Sequence, residues 1–286
     1  MLKRGDQIGL VCCSDGHSSK RMESNQQLEK ALRNLGLIPV WSPYIYAKTD
    51  CFSGTGQERA EAVHTFYEDP SIRAIFDLSG GNVGNHVLEY LDYEKIRENP
   101  KPFFGYSDLT TVLHGIYTQT GQPVFLYQLR NLVSSGGSLQ QSWFVESLMG
   151  TSSVLFQPTY TFLRGSKISG TVVGGNLRCL LKLAGTRYFP DCTGKVLFLE
   201  ALGGGLAEIS AMAVQLRQMG VFQQISGLLL GTFTKLEEQY GSDAVKELFL
   251  QVTESCPIPI AKTAEIGHAP DSKALQIGVP ILLEAE

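Results

Sequence analysis

Short apolar runs alternate with amphipathic stretches through the first half of the chain. The apolar runs predict strands at residues 7–13, 38–41, 74–78, 103–105 and 123–126, and the amphipathic stretches predict helices at 24–35, 56–68, 84–91 and 108–118. Because strands and helices alternate, the pattern favours a parallel sheet with right-handed crossovers. Ligands of such sheets bind at the carboxyl ends of the strands, so we expect functional residues in the loops that follow strands.

The periodic pattern breaks at the polar run Ser-Ser-Gly-Gly-Ser of residues 134–138. This break predicts an N-terminal domain at 1–135, a linker at 136–165 and a C-terminal domain at 166–286. The second half has predicted strands at 169–173, 194–199, 226–231 and 259–261, and predicted helices at 176–184, 207–219 and 244–254. The second half is therefore predicted to be a smaller α/β or α+β unit.

Composition and charge narrow the class of protein. Of 286 residues, 43% are apolar, 18% are charged and 30 are glycine, a profile that argues against disorder. The net charge of −4 provides no overall positive field for a nucleic-acid backbone or an anionic membrane. We therefore expect no nucleic-acid partner.

The sequence shows no recognisable secretory signal or membrane segment. The apolar run 8–13 is shorter than the apolar core of a signal peptide. The longest apolar-looking stretch, 196–216, contains Glu200 and Glu208, which are costly in hydrocarbon. The six cysteines are spread along the chain without the spacing of metal ligands. We expect a cytoplasmic protein with reduced cysteines, no metal site and no membrane span.

The segment Gly105-Tyr106-Ser107-Asp108 lies between an apolar run and a helical pattern. A serine at a strand-to-helix turn presents its Oγ above the sheet, and the first amides of the helix point towards developing negative charge. The segment departs from the G-x-S-x-G motif because Leu109 occupies the fifth position. A helix cap is the simpler interpretation of this tetrapeptide alone, and a nucleophilic Ser107 is the functional one.

A nucleophilic serine needs a base that takes its proton, and histidine is the usual base. Of the five histidines, His268 lies in the glycine- and proline-containing loop 267–271, where functional and idle exposed histidines both occur. Glu200 ends a predicted apolar strand and is the candidate acid that orients the imidazole. The alternative interpretation of Glu200 is a salt bridge to Arg178 or Arg187.

A glycine-containing segment at 79–85 follows the predicted strand 74–78. Glycines there let backbone amides approach an anion, either a phosphate or an oxyanion. The first strand lacks the G-x-G-x-x-G dinucleotide motif, and the chain lacks a Walker A motif. We therefore expect no nucleotide cofactor and no other cofactor.

Six segments in order carry a resemblance to a known family. They are the loop 79–85 with 88–93, then 105–110, 174–177, 185–186, 194–200 and 267–268. Together they resemble the LD-carboxypeptidases of the serine-peptidase class, which include the muramoyl-tetrapeptide carboxypeptidases and the microcin-immunity peptidases. The resemblance covers nearly the whole chain.

The resemblance implies an α/β fold with a Ser-Glu-His triad. The N-terminal domain would be a Rossmann-like parallel-sheet domain, the C-terminal domain a smaller α/β domain, and the active site would lie between them. The corresponding residues are Ser107 as nucleophile, Glu200 as orienting acid and His268 as general base. The family's oxyanion hole implies the amide of Asp108 and an amide of the glycine loop, which we assign to Gly81.

Three segments depart from the usual pattern of the family. Ala201 follows Glu200 where the family often has an aspartate, and residues 267–272 read Gly-His-Ala-Pro-Asp-Ser rather than G-H-G-x-D-N. The segment Tyr127-Gln128-Leu129-Arg130 stands in place of a His-Gly-Pro segment. The triad positions are kept, so these departures affect the shape of the substrate cleft.

The function that the resemblance implies is a serine carboxypeptidase that releases the terminal D-alanine of murein tetrapeptides during wall recycling, through an acyl-enzyme on Ser107. The terminal carboxylate of this substrate implies a cationic pocket, for which Arg130 and Arg178 are the candidates. One alternative is a microcin-immunity-type peptidase that cleaves peptidyl-nucleotides. Another is a non-catalytic protein that binds wall peptides, in which Ser107 is only a helix cap. The oligomeric state stays open, with a homodimer as one option.

Overall fold

The computed structural model describes residues 2–285 as two sheets with flanking helices. The strands are β1 (Gln7–Val11), β2 (Ile38–Trp41), β3 (Ile72–Asp77), β4 (Phe103–Gly105), β5 (Val124–Leu126), β6 (Thr161–Arg164), β7 (Lys167–Asn176), β8 (Val196–Ala201), β9 (Gly227–Phe233), β10 (Ile260–Lys262), β11 (Leu275–Ile277) and β12 (Pro280–Glu284). The helices are α1 (Met22–Asn34), α2 (Gly56–Glu68), α3 (Tyr93–Glu98), α4 (Thr110–Thr120), α5 (Gly137–Phe144), α6 (Leu177–Leu181), α7 (Leu206–Gln218), α8 (Val221–Gln224), α9 (Thr234–Tyr240) and α10 (Ser242–Val252).

The first sheet has the strand order β11-β5-β4-β3-β1-β2. Strands β1 to β5 pair in parallel, and β11 pairs with β5 in antiparallel orientation. The second sheet has the order β12-β7-β8-β9-β10-β6, with a parallel centre from β7 to β10 and an antiparallel strand at each edge. The α/β class predicted from the alternating pattern is confirmed.

The central strand of the second sheet shows why the sequence forms it. All six residues of β8 are buried, as expected for a parallel strand with both faces covered, and they form the near-continuous apolar run Val-Leu-Phe-Leu-Glu-Ala. Its one charged residue, Glu200, lies next to the carboxyl end of the strand. An apolar strand therefore delivers a buried carboxylate to the edge of the sheet where ligands bind.

The structure differs from the predicted elements most at residues 84–91 and in the predicted linker, and α8, α9 and β12 had no predicted counterpart. Residues 84–91, predicted as a helix, form a 3-10 helix only at Gly84–Val87, and α3 begins at Tyr93 after Asp92, whose side chain caps it. The predicted linker 136–165 is structured, since it contains α5 and the edge strand β6. Composition marked this segment as irregular, but long-range pairing between β6 and β10 gives it a place in the second sheet.

The two halves of the chain share a hydrophobic core. One cluster of buried side chains contains Val11 and Leu126 of the first sheet together with Val172 and Leu283 of the second. Ile277 of β11 belongs to the same cluster and is fully buried. None of the helices within residues 2–285 is long and apolar enough to cross a membrane.

Candidate active site

Ser107 occupies a tight turn between β4 and α4. The strand ends at Gly105, Tyr106 is extended, and Ser107 begins the short 3-10 helix Ser107–Leu109 with a φ of +60°. A left-handed conformation at a residue with a side chain costs about 1–2 kcal/mol and marks a position that the surrounding structure holds in place. Gly105 is required for the turn, because a Cβ there would lie 2.7 Å from the Cβ of Leu109. The predicted strand-to-helix turn is present.

Glu200 and His268 are in direct contact. Glu200 is fully buried, its Oε2 accepts a hydrogen bond from His268 Nδ1 at 2.7 Å, and its Oε1 accepts one from Asn176 Nδ2 at 2.9 Å. A carboxylate that accepts from Nδ1 leaves Nε2 as the nitrogen that can take up a proton. His268 Nε2 is buried and has no hydrogen-bond partner among residues 2–285. The alternative considered from the sequence, a salt bridge from Glu200 to Arg178 or Arg187, is absent from the described part of the chain, where Glu200 pairs with His268.

Ser107 and His268 line the same cavity, which has a volume of about 560 Å³. The imidazole lies edge-on to the ring of Tyr106, the residue before the serine, with 5.0 Å between ring centroids. Within the described chain, no hydrogen bond joins Ser107 Oγ to the imidazole, and unliganded sites of this kind are often loose. The structure therefore brings Ser107 and His268 to one cavity, with Glu200 in contact with His268 and no hydrogen bond between Ser107 and His268 among the described residues.

The glycine loop after β3 borders the same cavity. Gly81 has a φ of +123°, and a Cβ there would lie 2.1 Å from the carboxyl carbon of Asp15, so only glycine fits. The Gly81 amide donates no hydrogen bond within residues 2–285. The amide of Asp108 lies in the first turn of its 3-10 helix, where N–H groups lack intrahelical partners. Gly81 lines the cavity, and Asp108 directly follows Ser107, which also lines it.

The side chain of Asp108 fastens the glycine loop to the Ser107 turn. Its fully buried carboxylate accepts from Ser14 Oγ at 2.6 Å and Gly84 N at 2.7 Å, and it forms an ion pair with Lys182. Burial raises the pKa of this carboxyl, but the hydrogen bonds from Lys182 and Ser14 and the charge of Lys182 outweigh burial and hold the pKa below its usual value. Asp108 therefore stays ionised at neutral pH.

Two cations near α6 reach across to the glycine loop. Arg178 donates to Gly81 O at 3.0 Å and to Asn82 Oδ1, and Lys182 donates to Asn82 O at 2.9 Å. Arg178 does not border the cavity shared by Ser107 and His268; it borders a neighbouring cavity of about 560 Å³ that Ser107 also lines. Sequence reasoning missed Lys182, for which its place at the end of α6, four residues after Arg178, was the available signal.

Two arginines border the cavity of Ser107 and His268. Arg130, a candidate from the sequence, is largely enclosed, and burial together with the nearby charge of Arg21 lowers its pKa to about 10. Sequence reasoning missed Arg21, which belongs to no motif. No cluster of three or more histidine, cysteine, aspartate or glutamate side chains suited to a metal ion occurs within residues 2–285.

Models of two domains of one peptidase family match the chain. The LD-carboxypeptidase N-terminal domain model matches residues 8–127, and the LD-carboxypeptidase C-terminal domain model matches residues 169–283. The chain belongs to the LD-carboxypeptidase family. This LD-carboxypeptidase family member is accordingly a peptidase, as its resemblance implied.

Individual relatives of this LD-carboxypeptidase family member fall into two groups. The murein tetrapeptide carboxypeptidase of Pseudomonas aeruginosa is 25% identical, with 90% of this chain and 88% of the relative covered. The microcin C7 self-immunity protein MccF of Escherichia coli is 27% identical, with 83% and 78% covered. Among solved structures, an MccF-like protein from Bacillus anthracis has a TM-score of 0.87 at 27% identity, covering 100% of this chain and 95% of that protein. The muramoyltetrapeptide carboxypeptidase of Oxalobacter formigenes shares the fold, with a TM-score of 0.80 at 21% identity and coverage of 98% and 95%.

Proposed function

We propose that the protein is a serine-type LD-carboxypeptidase that releases the terminal D-alanine of murein tetrapeptides. The observation that supports this most directly is the buried contact between Glu200 and His268, which leaves Nε2 free in the cavity that Ser107 lines. The relative named murein tetrapeptide carboxypeptidase supports the substrate class. The cytoplasmic location and the homodimer stay predictions from the sequence.

In the proposed mechanism, Ser107 and His268 exchange one proton in each half-reaction. Ser107 Oγ attacks the carbonyl carbon of the bond to be cleaved while His268 Nε2 takes the hydroxyl proton. The amides of Gly81 and Asp108 stabilise the oxyanion that forms. The imidazolium then protonates the leaving amine, which releases D-alanine and leaves an acyl-enzyme on Ser107. A water then attacks the ester carbon while the same imidazole takes its proton, and the imidazolium returns this proton to Ser107 Oγ as the shortened peptide leaves. Glu200 stabilises the imidazolium in both halves.

Substitution of the nucleophile tests this proposal. We expect Ser107→Ala to lower the rate of D-alanine release from a murein tetrapeptide about 10⁴-fold or more, measured by mass spectrometry. Ser166→Ala, a change at an exposed serine, is the matched control and should keep the wild-type rate. A folded Ser107→Ala protein with wild-type turnover would rule out the mechanism. Tight binding of the peptide by the wild type without any turnover would instead favour the non-catalytic wall-peptide-binding alternative.

A peptidase that acts on peptidyl-nucleotides is the second candidate function. Its support is the relative MccF, which a solved structure shows in complex with glutamyl sulfamoyl guanosine, and the MccF-like protein of the same fold. Side-by-side turnover of a murein tetrapeptide and an aminoacyl sulfamoyl adenosine distinguishes the two functions. Faster turnover of the sulfamoyl compound would replace the murein substrate with a peptidyl-nucleotide.

A further inference from the structure

Two arginines border the cavity of Ser107 and His268 without an acidic partner. Arg21 is exposed and Arg130 is mostly enclosed, and both line this cavity. Neither arginine forms an ion pair with a carboxylate anywhere in the described chain. The cavity therefore holds two positive charges that the protein itself leaves unpaired.

The surroundings of Arg130 are unusual for an arginine. Its Nε is completely enclosed and has no hydrogen-bond partner among residues 2–285, and no guanidinium nitrogen of Arg130 donates to another described residue. Burial lowers its pKa to about 10, and the nearby positive charge of Arg21 adds to this effect. A buried guanidinium without an acceptor is unfavourable, and an anion that enters the cavity would relieve this condition.

Two acidic groups near the cavity accept hydrogen bonds from residues other than Arg130. Asp15 lines the same cavity, but its Oδ1 accepts from Asn82 N at 2.9 Å. Asp77 is fully buried and accepts from Cys13 N at 2.7 Å and Ser79 N at 2.8 Å. The charge of Asp77 acts on Arg130 only at a distance, and neither carboxylate makes with Arg130 the two-oxygen contact that a guanidinium prefers.

We propose that Arg130, assisted by Arg21, binds a carboxylate group of the peptide substrate. The planar fork of a guanidinium matches the two oxygens of a carboxylate, and the unpaired nitrogens of Arg130 are free for this contact. The identity of the peptide rests on the proposed function. Arg130 lies at the end of the segment 127–130, directly after Leu129, which is fully buried. The carboxylate that fits a carboxypeptidase is the terminal one, which makes cleavage depend on a free chain end.

Three versions of one murein tetrapeptide test the subsite: the free acid, the terminal carboxamide, and a version with the free terminal acid and every other carboxylate amidated. For the wild type, we expect kcat/KM to fall about 100-fold on the terminal carboxamide and to change little on the third peptide. For Arg130→Met, kcat/KM should fall about 100-fold on the free acid and no further on the terminal carboxamide, because the lost contact is the same one.

Further variants show whether an effect of Arg130 comes from its charge, from the shape of its guanidinium or from a change in the stability of the fold. Arg130→Lys keeps the charge without the fork and should recover only part of the loss, and Arg21→Met should show a smaller loss of the same kind. Arg33→Met is the matched control, since Arg33 is exposed and paired with Glu29. Thermal unfolding should show Arg130→Met to be at least as stable as the wild type, because the substitution removes an unpaired buried charge.

The outcomes also distinguish a failure of the Arg130 subsite from a failure of the proposed function. In Ser107→Ala protein, calorimetric binding of the free acid should weaken when Arg130→Met is added, whether or not the wild type cleaves this peptide. D-Alanine release that does not change in Arg130→Met would overturn the subsite and leave the proposed function standing. An equal loss for Arg130→Met on the free acid and on the terminal carboxamide would also overturn the terminal contact. If the loss disappears only on the third peptide, the carboxylate bound is one upstream, which still supports a carboxylate subsite at Arg130.

Discussion

The backbone of Ser107 has a conformation that glycine adopts more easily than serine. Its φ of +60° is held by the turn between β4 and α4, where the side chain reaches the cavity. The same conformation would be strained in alanine and relaxed in glycine. Strain of this kind at a cavity is typical of a residue kept for function rather than for stability.

This strain leads to a prediction on stability. We expect Ser107→Gly to be more stable than Ser107→Ala by about 1 kcal/mol, because glycine relieves the left-handed conformation and alanine does not. Both variants should lack D-alanine release if Ser107 is the nucleophile. The measurement is the free energy of unfolding in urea for both proteins. A glycine variant that is less stable than the alanine variant would show that the turn carries no such strain.

The contacts of Asp108 predict how the stability of the protein depends on pH. Its folded-state pKa is lowered, because contacts with Lys182 and Ser14 outweigh burial, and the unfolded value is about 3.9. Its ionised form therefore contributes stability that is fully present above the unfolded pKa and is lost as the pH falls through the folded pKa. We expect the difference in free energy of unfolding between wild type and Asp108→Asn to be constant above about pH 5 and to shrink at lower pH.

Urea unfolding of both proteins between neutral and acid pH measures this difference. Asp243→Asn, a change at an exposed carboxylate on α10, is the control and should show no comparable decrease. If the difference between wild type and Asp108→Asn stayed the same down to the lowest pH at which the protein folds, the ionised carboxylate would not be the stabilising form.

At the scale of elements, α6 and the lysine after it connect the second sheet to the glycine loop. Lys182 contacts both the Asp108 carboxylate and Asn82 O, and Arg178 contacts Gly81 O. The loop carries one proposed oxyanion donor, and Asp108 carries the other. The cations of one half of the chain therefore position groups of the other half.

Removal of Lys182 should lower kcat more than it changes KM. We expect Lys182→Met to reduce kcat for D-alanine release about 10–100-fold, because a donor displaced by about 1 Å stabilises the transition state less while substrate binding is kept. Amide hydrogen exchange in residues 80–84 should become faster in the same variant. Lys167→Met removes an exposed lysine paired with Glu284 and is the matched control. Wild-type exchange in the loop of Lys182→Met would contradict the positioning role.

Elements were predictable wherever one local pattern determines them. The apolar runs predicted the central strands, and the stripe of Leu28 and Leu32 predicted α1. The helix prediction for 84–91 was wrong because the conformation of this segment depends on a distant contact, the hydrogen bond from Gly84 N to the carboxylate of Asp108. Periodicity reports which face of an element is buried and contains no information about such a contact.

At the scale of the whole molecule, the sequence pattern again contains no information about distant contacts, and this determines how much of the candidate site could be predicted. Ser107, Glu200 and His268 could be predicted because each lies at the end of an apolar run or in a turn that matches a family segment. Arg21 was not found, because only folding places it beside Arg130. The role of Arg178 was equally hidden, since its partners lie almost a hundred residues earlier in the chain.

The return of β11 to the first sheet determines how the molecule should unfold. This strand comes from the C-terminal half, pairs with β5, and buries Ile277 completely in a core that both halves share. We expect calorimetry to show a single transition for the whole chain, because neither half closes its core without the other. Ile277→Ala should lower the free energy of unfolding by about 2–5 kcal/mol and keep that single transition.

A substitution on β12, the next strand along the chain, is the control for the Ile277 substitution. Leu282 of β12 is 56% exposed, so Leu282→Ala should change the free energy of unfolding by less than about 0.5 kcal/mol. If Ile277→Ala instead split the unfolding curve into two transitions, the first half would be losing its structure while the second stayed folded. The halves would then be separate folding units, and the cavity of Ser107 and His268 would depend on a contact that one side chain controls. A single, lowered transition means that the cavity of Ser107 and His268 is held by one cooperative core.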